Sequence, residues 1–382
     1  MVSTSDERCA MLSSAERRAF LIRAAGTAAA LAVAGPTPAG QLPPPRLDRL
    51  DLLQYRGEDG RIQAVRTPAQ WLYRRREILR GMQQVMGPLP GRERRLPLQM
   101  QVSSETDCGS YLRRAVTYAT GAAERTPAWL LVPKRALAPG ASARAVLCLH
   151  PTDATIGHDV VVGLGGRPNR AYAAELAERG FVTLAPSYPL LAGYQPDVLG
   201  LGYASGTMKA IWDNVRGLDL LESLPFVAAG GFGAIGHSLG GHNAVYTAAF
   251  DQRIQVIVSS CGLDLYTDYY GGDPRVWQDE RGWCQVRYMP RLLQYAGRLA
   301  DIPFDFAELI GALAPRPCLI SAPLRDANFR WQSVDRIAAA ARPVYALLGA
   351  GDALIVEHPD SEHDFPDATR AQAYALLERH LR

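Results

Sequence analysis

The chain has 382 residues, 48% of them hydrophobic, and a formal net charge of only +3 at pH 7. This length allows a large core, and it fits one α/β domain preceded by an export segment. The charges are nearly balanced and no basic stripe is interleaved with aromatic residues, so a nucleic-acid partner is not expected.

The first 40 residues are typical of an export signal rather than of a folded domain. An arginine pair, Arg17-Arg18, precedes Phe20-Leu21, and a mild apolar run of mostly alanine extends from Ala24 to Ala34. This order resembles a twin-arginine signal cut after Ala34 or Gly40, which implies the Tat export machinery as a partner and a periplasmic or secreted protein. The alternative is a flexible basic tail on a cytoplasmic protein. The run is too short to span a bilayer, so the mature form is expected to be free of the membrane.

The cysteines do not have the C-x-x-C spacing of a metal site. Cys9 lies in the predicted signal, and Cys148 and Cys318 lie in apolar strand-like runs, where cysteine is usually a small buried hydrophobe. Cys261 and Cys284 lie in polar, loop-like sequence, and the pattern leaves open whether they form a disulfide in an exported protein. With no metal cluster or nucleotide loop in the sequence, no metal and no cofactor are expected.

Residues 41–95 predict a Pro-rich leader and a helix that packs outside the core. The helix covers Pro68–Met86, and its Arg74-Arg75-Arg76 run is expected to be a solvated face. Three segments with alternating apolar and polar residues follow, which predicts antiparallel strands with one open face. These strands are Leu96–Val102, Tyr111–Tyr118 and Ala128–Pro133.

From residue 143 onward, continuous apolar strands alternate with helices. The predicted strands are Ala143–Leu149, Phe181–Pro186, Ile254–Ser259, Pro317–Ser321 and Ala353–Glu357. The predicted helices are Asn169–Arg179, Ser205–Leu224, Trp331–Leu348 and Pro366–Leu381. This alternation predicts an α/β domain over 96–382, with a mostly parallel central sheet, helices on both faces and the antiparallel strands at its N-terminal edge.

An aromatic-rich insertion at about 262–314 interrupts this alternation. Because it lies between two sheet strands, it is expected over their C-terminal ends, where open α/β sheets bind ligands. It would then form a lid or a wall of the site. The alternative is that its aromatic residues are only the small core of the insertion itself.

The segment Gly236-His237-Ser238-Leu239-Gly240 matches the nucleophile elbow, G-x-S-x-G, in which a strained strand-to-helix turn exposes a serine hydroxyl. A Cβ atom on Gly236 or Gly240 would collide with neighbouring backbone in such a turn. The alternative is an ordinary glycine-rich turn, because a chain with 35 glycines matches this pattern easily. A buried strand before the segment and a helix after it favour the elbow.

A nucleophilic serine needs a base, and the base needs a carboxylate to fix its tautomer. In this class of fold the chain order is serine, acid, histidine. Asp326, in the loop after Pro317–Ser321, is therefore the predicted acid, with Asp264 as its substitute. His363, just before the last helix, is the predicted base, whereas His358 directly follows a strand and is assigned a structural or rim role.

An oxyanion formed at this serine needs two preorganised N–H donors. One is predicted to be the backbone amide of Leu239, at the positive end of the elbow helix. The other is expected in the loop after the strand that ends at residue 149. Pro151 has no N–H, so the sequence favours Thr152, with Asp153 behind it.

With these residues in view, the chain resembles the α/β-hydrolase superfamily and, within it, the bacterial acetyl xylan esterase and dienelactone hydrolase-like enzymes. The shared features are the elbow, Leu313-Ala314-Pro315-Arg316-Pro317 before the acid strand, Asp326, and His363-Asp364-Phe365-Pro366. The match runs from about Leu96 to the C-terminus. One departure is His150-Pro151-Thr152, where relatives often have His-Gly.

Together, the residues and the resemblance predict an exported serine esterase. Ser238 would attack an ester carbonyl, with His363 as base and Asp326 as the group that orients it. The resemblance implies a small-molecule ester or an ester on a plant or algal polysaccharide, such as acetylated xylan. One alternative is a serine peptidase of the prolyl oligopeptidase type, although the N-terminal segment is too short for their propeller. Another is a catalytically silent binding protein, although all three triad residues are present.

Overall fold

The computed structural model describes residues 46–381. The predicted twin-arginine signal lies outside the described residues. The strands are β1 Gln54–Arg56, β2 Ile62–Ala64, β3 Gln101–Asp107, β4 Tyr111–Gly121, β5 Glu124–Pro133, β6 Ala143–Leu149, β7 Val182–Pro186, β8 Val227–His237, β9 Ile254–Ser260, β10 Cys318–Ser321 and β11 Leu354–Glu357. The α-helices are α1 Pro68–Met86, α2 Tyr172–Glu178, α3 Gly206–Ser223, α4 Leu239–Phe250, α5 Phe306–Leu313, α6 Trp331–Leu347 and α7 Asp367–His380.

The central sheet has nine strands in the order β11-β10-β9-β8-β6-β7-β5-β4-β3. The strands from β11 to β7 are parallel to one another, and β5, β4 and β3 continue the sheet in antiparallel pairing. The predicted fold class is therefore confirmed. One strand was misplaced: β3 covers Gln101–Asp107 rather than Leu96–Val102, because every residue of this edge strand is exposed and no buried apolar pattern marks it.

The two faces of the sheet carry separate cores. In β6, Ala145 and Leu147 join the core under α3, α4 and α6, whereas Val146 and Cys148 join the core under α2 and α7. This alternation is the period of two that a strand imposes. Because both faces are covered, the strand is apolar from Ala145 to Leu149, with Arg144 near its start as the one polar residue. The loops at the C-terminal ends of these strands are thus held by a rigid frame.

Helix α1 packs more deeply than the sequence suggested. Its first turn is fixed by a capping box, in which Thr67 and Gln70 exchange side-chain to backbone hydrogen bonds. Arg74 is only 2% exposed and its Nη2 donates to Glu308 Oε1 at 2.6 Å. The Arg75 guanidinium donates to two backbone carbonyl groups. The predicted solvated face is therefore wrong for these two arginines, because their partners come from distant parts of the chain: Glu308 for Arg74, and the carbonyl groups of Ala249 and Ala312 for Arg75.

The insertion is an irregular segment in which several aromatic side chains are buried around Tyr266. The rings of Trp277 and Phe304 meet the Tyr266 ring edge-on, with centroids 5.9 and 5.6 Å away. Its backbone forms short 3₁₀ turns at Tyr269–Gly272, Pro274–Trp277, Gly282–Cys284, Pro290–Tyr295 and Leu299–Asp301. Trp283 packs on His242 of α4 with ring centroids 4.7 Å apart. The insertion thus has a core of its own and is also anchored on the elbow helix.

The cysteines of the described part are all free thiols. Cys261 and Cys284 are both buried and are not joined, so the disulfide that the sequence left open is not formed. Cys148 and Cys318 are buried in the sheet, as predicted. Within residues 46–381, no helix combines the length and apolarity needed to cross a membrane.

Candidate active site

Ser238 occupies the turn between β8 and α4 in a strained conformation. Its φ is 56° and its ψ is −119°, a region that residues other than glycine rarely adopt. Backbone hydrogen bonds on both sides of the residue hold it there. The Ser238 N–H donates to the Ser260 carbonyl at 2.7 Å, and the Ser238 carbonyl accepts from the Gly241 N–H at 2.9 Å. This is the geometry of a nucleophile elbow.

The two glycines of the turn are required by close backbone contacts. A Cβ atom on Gly236 would overlap the backbone of Gly240, and one on Gly240 would overlap the Leu149 carbonyl. The start of α4 therefore lies directly against the end of β6. As a result, the loop that follows Leu149 lies beside the nucleophile turn.

Asp326 and His363, predicted as acid and base, are in direct contact. The His363 Nδ1–H donates to Asp326 Oδ2 at 2.8 Å. Asp326 Oδ1 accepts from the backbone N–H groups of Asn328 and Phe329, and the Asp326 side chain is fully buried. A carboxylate held in this way fixes the imidazole with its proton on Nδ1, which leaves Nε2 as the basic nitrogen.

The His363 ring lies next to the nucleophile turn. Its centroid is 4.9 Å from that of His237, the residue before Ser238, and 5.7 Å from that of Phe329. The His363 side chain is 25% exposed, so this imidazole can be reached from solvent. His237 itself is buried, which lowers its pKa well below the ordinary value and keeps it neutral.

The loop after β6 is ordered by His150. The Tyr188 N–H donates to His150 Nε2 at 2.9 Å, so the ring proton is on Nδ1, which donates to the Pro151 carbonyl at 2.8 Å. Burial lowers the pKa of His150 to about 3, which keeps this neutral tautomer. In a trans peptide the C=O and N–H groups point in opposite directions. The bond to Pro151 therefore fixes the direction of the Thr152 N–H.

The predicted oxyanion donors lie in different settings: Leu239 at the start of a helix, and Thr152 in a loop. Leu239 is the first residue of α4, where backbone N–H groups have no partner inside the helix. Thr152 lies in the loop beside it, and its hydroxyl is 3.1 Å from the Tyr288 hydroxyl of the insertion. Asp153 uses its carboxylate to accept the N–H groups of Thr155 and Ile156. It therefore belongs to the following turn.

The other candidate histidine and acid have different partners. His358 Nδ1 contacts the Ala322 carbonyl and its Nε2 contacts Asp335, so it links the acid loop to α6. The substitute acid, Asp264, accepts the Arg330 N–H at 3.4 Å and is not the carboxylate bonded to His363. Its Oδ1 atom is buried without a hydrogen-bond partner among the described residues.

The raised pKa of the buried Asp264 carboxyl group is expected to make the stability of the protein depend on pH. Burial raises its pKa to about 7, so folded Asp264 keeps a proton between about pH 4 and 7 that the unfolded chain releases. The free energy of unfolding should thus fall as the pH rises through this window, by at most about 1.4 kcal/mol per pH unit, and level off above it. Urea denaturation at several pH values should show a shallower slope for Asp264→Asn. An exposed control, Asp352→Asn, should keep the wild-type slope, and an unchanged slope in Asp264→Asn would contradict the prediction.

Two residues that the sequence did not indicate hold the His363 loop. Asn169 Nδ2 donates to both oxygens of Asp364 at 2.8 Å, and Arg170 Nη1 donates to Asp364 Oδ1 at 2.5 Å. Arg170 Nη2 also donates to the His363 carbonyl at 3.3 Å. No motif marks these residues, because they come from a short turn before α2 that is remote in sequence from His363.

Comparison with known proteins links the chain to esterases. A family model described as "Glucuronyl esterase, fungi" matches residues 197–349. The hydrolase-named protein YtaP of Bacillus subtilis (strain 168) is 30% identical over 171 residues, which are 45% of this chain and 53% of that protein. The 4-O-methyl-glucuronoyl methylesterase 1 of Wolfiporia cocos (strain MD-104) is 25% identical over 201 residues, 48% of each chain. The chain thus spans about half the length of the curated relatives it matches.

A solved structure extends the similarity over most of the chain. The glucuronoyl esterase from Solibacter usitatus superposes with a TM-score of 0.69 at 21% identity, covering 87% of this chain and 98% of that one. At this identity the likeness concerns the fold. With the sheet order and the strained serine turn, these similarities lead to one assignment: the chain has the α/β-hydrolase fold.

Proposed function

We propose that this chain is a serine hydrolase that cleaves carboxylic esters attached to polysaccharides, with esters of glucuronic acid as its first candidate substrates. The observation that carries the proposal is the Asp326–His363 hydrogen bond beside the strained turn of Ser238. A buried carboxylate, an oriented imidazole and a serine on an elbow are the three parts of a catalytic triad.

In the proposed reaction, Ser238 Oγ attacks the ester carbonyl carbon while His363 Nε2 accepts the hydroxyl proton. The tetrahedral intermediate collapses, the alcohol leaves with the proton from His363, and the acyl group stays on Ser238 as an ester. Water, activated by the same imidazole, then attacks the acyl-enzyme and releases the acid. Asp326 stays ionised and stabilises the imidazolium that forms in both halves.

The negative charge on the carbonyl oxygen would be stabilised by two backbone N–H groups. Leu239 contributes the first, at the positive end of α4. Thr152 contributes the second, and the bond from His150 to the Pro151 carbonyl supports this role because it sets the orientation of the Pro151–Thr152 peptide. The contact of Gly240 with the Leu149 carbonyl supports it as well, since it keeps the two donors in one region.

The substrate class rests on the comparisons. The matching family model and the fungal relative are both named for esters of glucuronic acid, whereas the sequence motifs resemble acetyl xylan esterases. Uronate esters and acetyl esters are therefore the two chemistries to compare.

The division into a signal over 1–40, a leader over 41–95 and the hydrolase domain over 96–382 is also part of the proposal. So is export by the Tat machinery to the periplasm or beyond the cell.

A substrate screen tests the proposal. Benzyl and methyl esters of glucuronic acid, acetylated xylan, feruloyl esters and aminoacyl amides should be compared under one set of conditions. We expect the glucuronate esters to give the highest kcat/KM. Preferential cleavage of acetylated xylan would transfer the assignment to acetyl esters. Cleavage of the amides alone would identify a peptidase, and no turnover together with no fluorophosphonate adduct would identify a silent binding protein.

The hydrogen bonds from Asn169 and Arg170 to Asp364 and to the His363 carbonyl form a clamp on the His363 loop. Removing part of this clamp is expected to lower kcat. Arg170→Ala removes the donors to Asp364 and to the His363 carbonyl, so the imidazole is less well placed, and misplacement of this kind costs about 10²-fold in rate. KM should change little, because the substrate contacts are retained. Arg170→Lys should restore part of kcat, and Arg179→Ala, on an exposed ion pair, is the matched control. A fall in melting temperature with no change in the kcat of the remaining folded enzyme would assign Arg170 a purely structural role.

A further inference from the structure

Cys261 lies directly after β9 and extends the set of reactive side chains around His363. It is only 2% exposed and its backbone has a φ of 50°, which directs the chain sharply out of the sheet. Its Sγ donates to the Asp364 carbonyl at 3.1 Å. One ligand atom each from Cys261, Asp326 and His363 lies within 4.8 Å of the other two.

We propose that Cys261, Asp326 and His363 form a binding site for Zn²⁺ or another thiophilic divalent cation, and that occupation of this site inhibits the enzyme. A thiolate, a carboxylate and an imidazole are the donor types that Zn²⁺ takes in proteins. Among residues 46–381, this is the one set of three such side chains whose donor atoms converge. No function described above uses the thiol.

The geometry requires only a small adjustment to bind the ion. Donors that are 2.0–2.3 Å from a tetrahedral zinc ion are about 3.4–3.8 Å from one another, and the three donors are already within 4.8 Å. They follow β9, β10 and β11, three adjacent parallel strands, so they come from the same edge of the sheet. The partly exposed His363 gives the ion a route from solvent, and a water molecule would complete the four ligands.

The proton balance explains why the ion would inhibit. The Cys261 thiol releases its proton to solvent and binds as thiolate, and Asp326 binds as carboxylate. His363 binds through Nδ1, so the proton that was on Nδ1 moves to Nε2. The nitrogen proposed to accept the Ser238 proton is then itself protonated. Inhibition therefore rests on the proposed function, whereas binding of the ion does not.

Binding is tested with Co²⁺ as the probe, because a cobalt–thiolate bond gives a charge-transfer absorption band in the near ultraviolet. The full-length protein with reduced thiols should show this band at about one ion per chain. Cys261→Ser should lack it, and Cys284→Ser, which changes another buried cysteine, should retain it. A band that survives in Cys261→Ser, or no band in the wild-type protein, would overturn the proposal whether or not the protein hydrolyses esters.

Inhibition is tested by measuring the rate of ester hydrolysis at a fixed substrate concentration while the Zn²⁺ concentration is raised. The rate of each variant is compared with the rate of that same variant in the presence of a chelator. Removing an outer hydrogen-bond partner of a metal ligand already costs 10–100-fold in affinity, so removing the thiolate should raise the inhibitory Zn²⁺ concentration at least about tenfold. Cys284→Ser should match the wild type. Equal inhibition of Cys261→Ser and wild type would exclude Cys261 as a ligand.

Discussion

Ser238→Ala is expected to lower kcat for ester hydrolysis by about 10⁴-fold or more. The variant keeps the Cβ atom and the backbone of the elbow but lacks the hydroxyl proposed as the nucleophile. Any remaining rate would come from substrate binding and from the proposed oxyanion donors, the Leu239 and Thr152 amides. The measurement is the initial rate on a glucuronate ester, together with intact-mass detection after treatment with a fluorophosphonate.

The wild type should gain one fluorophosphonate adduct and Ser238→Ala none, while the melting temperatures of the two proteins should agree. Ser104→Ala, on the exposed edge strand β3, is a matched serine control and should behave as the wild type. If Ser238→Ala retained hydrolysis or acquired the adduct, Ser238 would not be the nucleophile.

Asp326→Asn is expected to lower kcat by about 10⁴-fold, because an amide donor facing His363 would favour the wrong imidazole tautomer. The Asn side chain still offers an oxygen to the N–H groups of Asn328 and Phe329, so the acid loop should keep its shape. Steady-state rates and thermal melting of the purified variant provide the measurement.

Asp360→Asn, in an exposed ion pair with Arg325, is the control for loss of a loop carboxylate and should keep full activity. Asp264→Asn serves as the decisive comparison, since Asp264 is the substitute acid. Activity that is lost in Asp264→Asn but kept in Asp326→Asn would assign the acid to the loop after β9.

Much of this fold could be predicted because its strands are covered on both faces. The β6 strand has the bounds that the sequence predicts, since the two cores make every position from Ala145 to Leu149 apolar. The elbow can be recognised for a related reason: its glycines lie within one short segment, and Gly236 is required by its contact with the Gly240 backbone in that same segment. Patterns that arise from local contacts of this kind can be read from the chain itself.

Features that depend on distant partners could not be predicted. The burial of Arg74 depends on Glu308, which lies 234 residues away. The clamp on the His363 loop depends on Asn169 and Arg170, and nothing in their sequence setting identifies Asp364 as their partner. The sequence presents Cys261 only as a candidate for a disulfide, whereas its neighbours are Asp326 and His363.

The hydroxyl contact between Thr152 and Tyr288 has a consequence for how substrate preference could diverge. Tyr288 belongs to a segment built from short turns, whereas Ser238 and His363 are fixed by the sheet. Under the proposed function, mutations in this segment would therefore change which acyl or sugar group fits, and through Tyr288 they would also adjust the proposed oxyanion stabilisation, while the proposed catalytic triad keeps its geometry. Evolution, or a directed library confined to residues 262–305, could thus explore new substrates without rebuilding the chemistry.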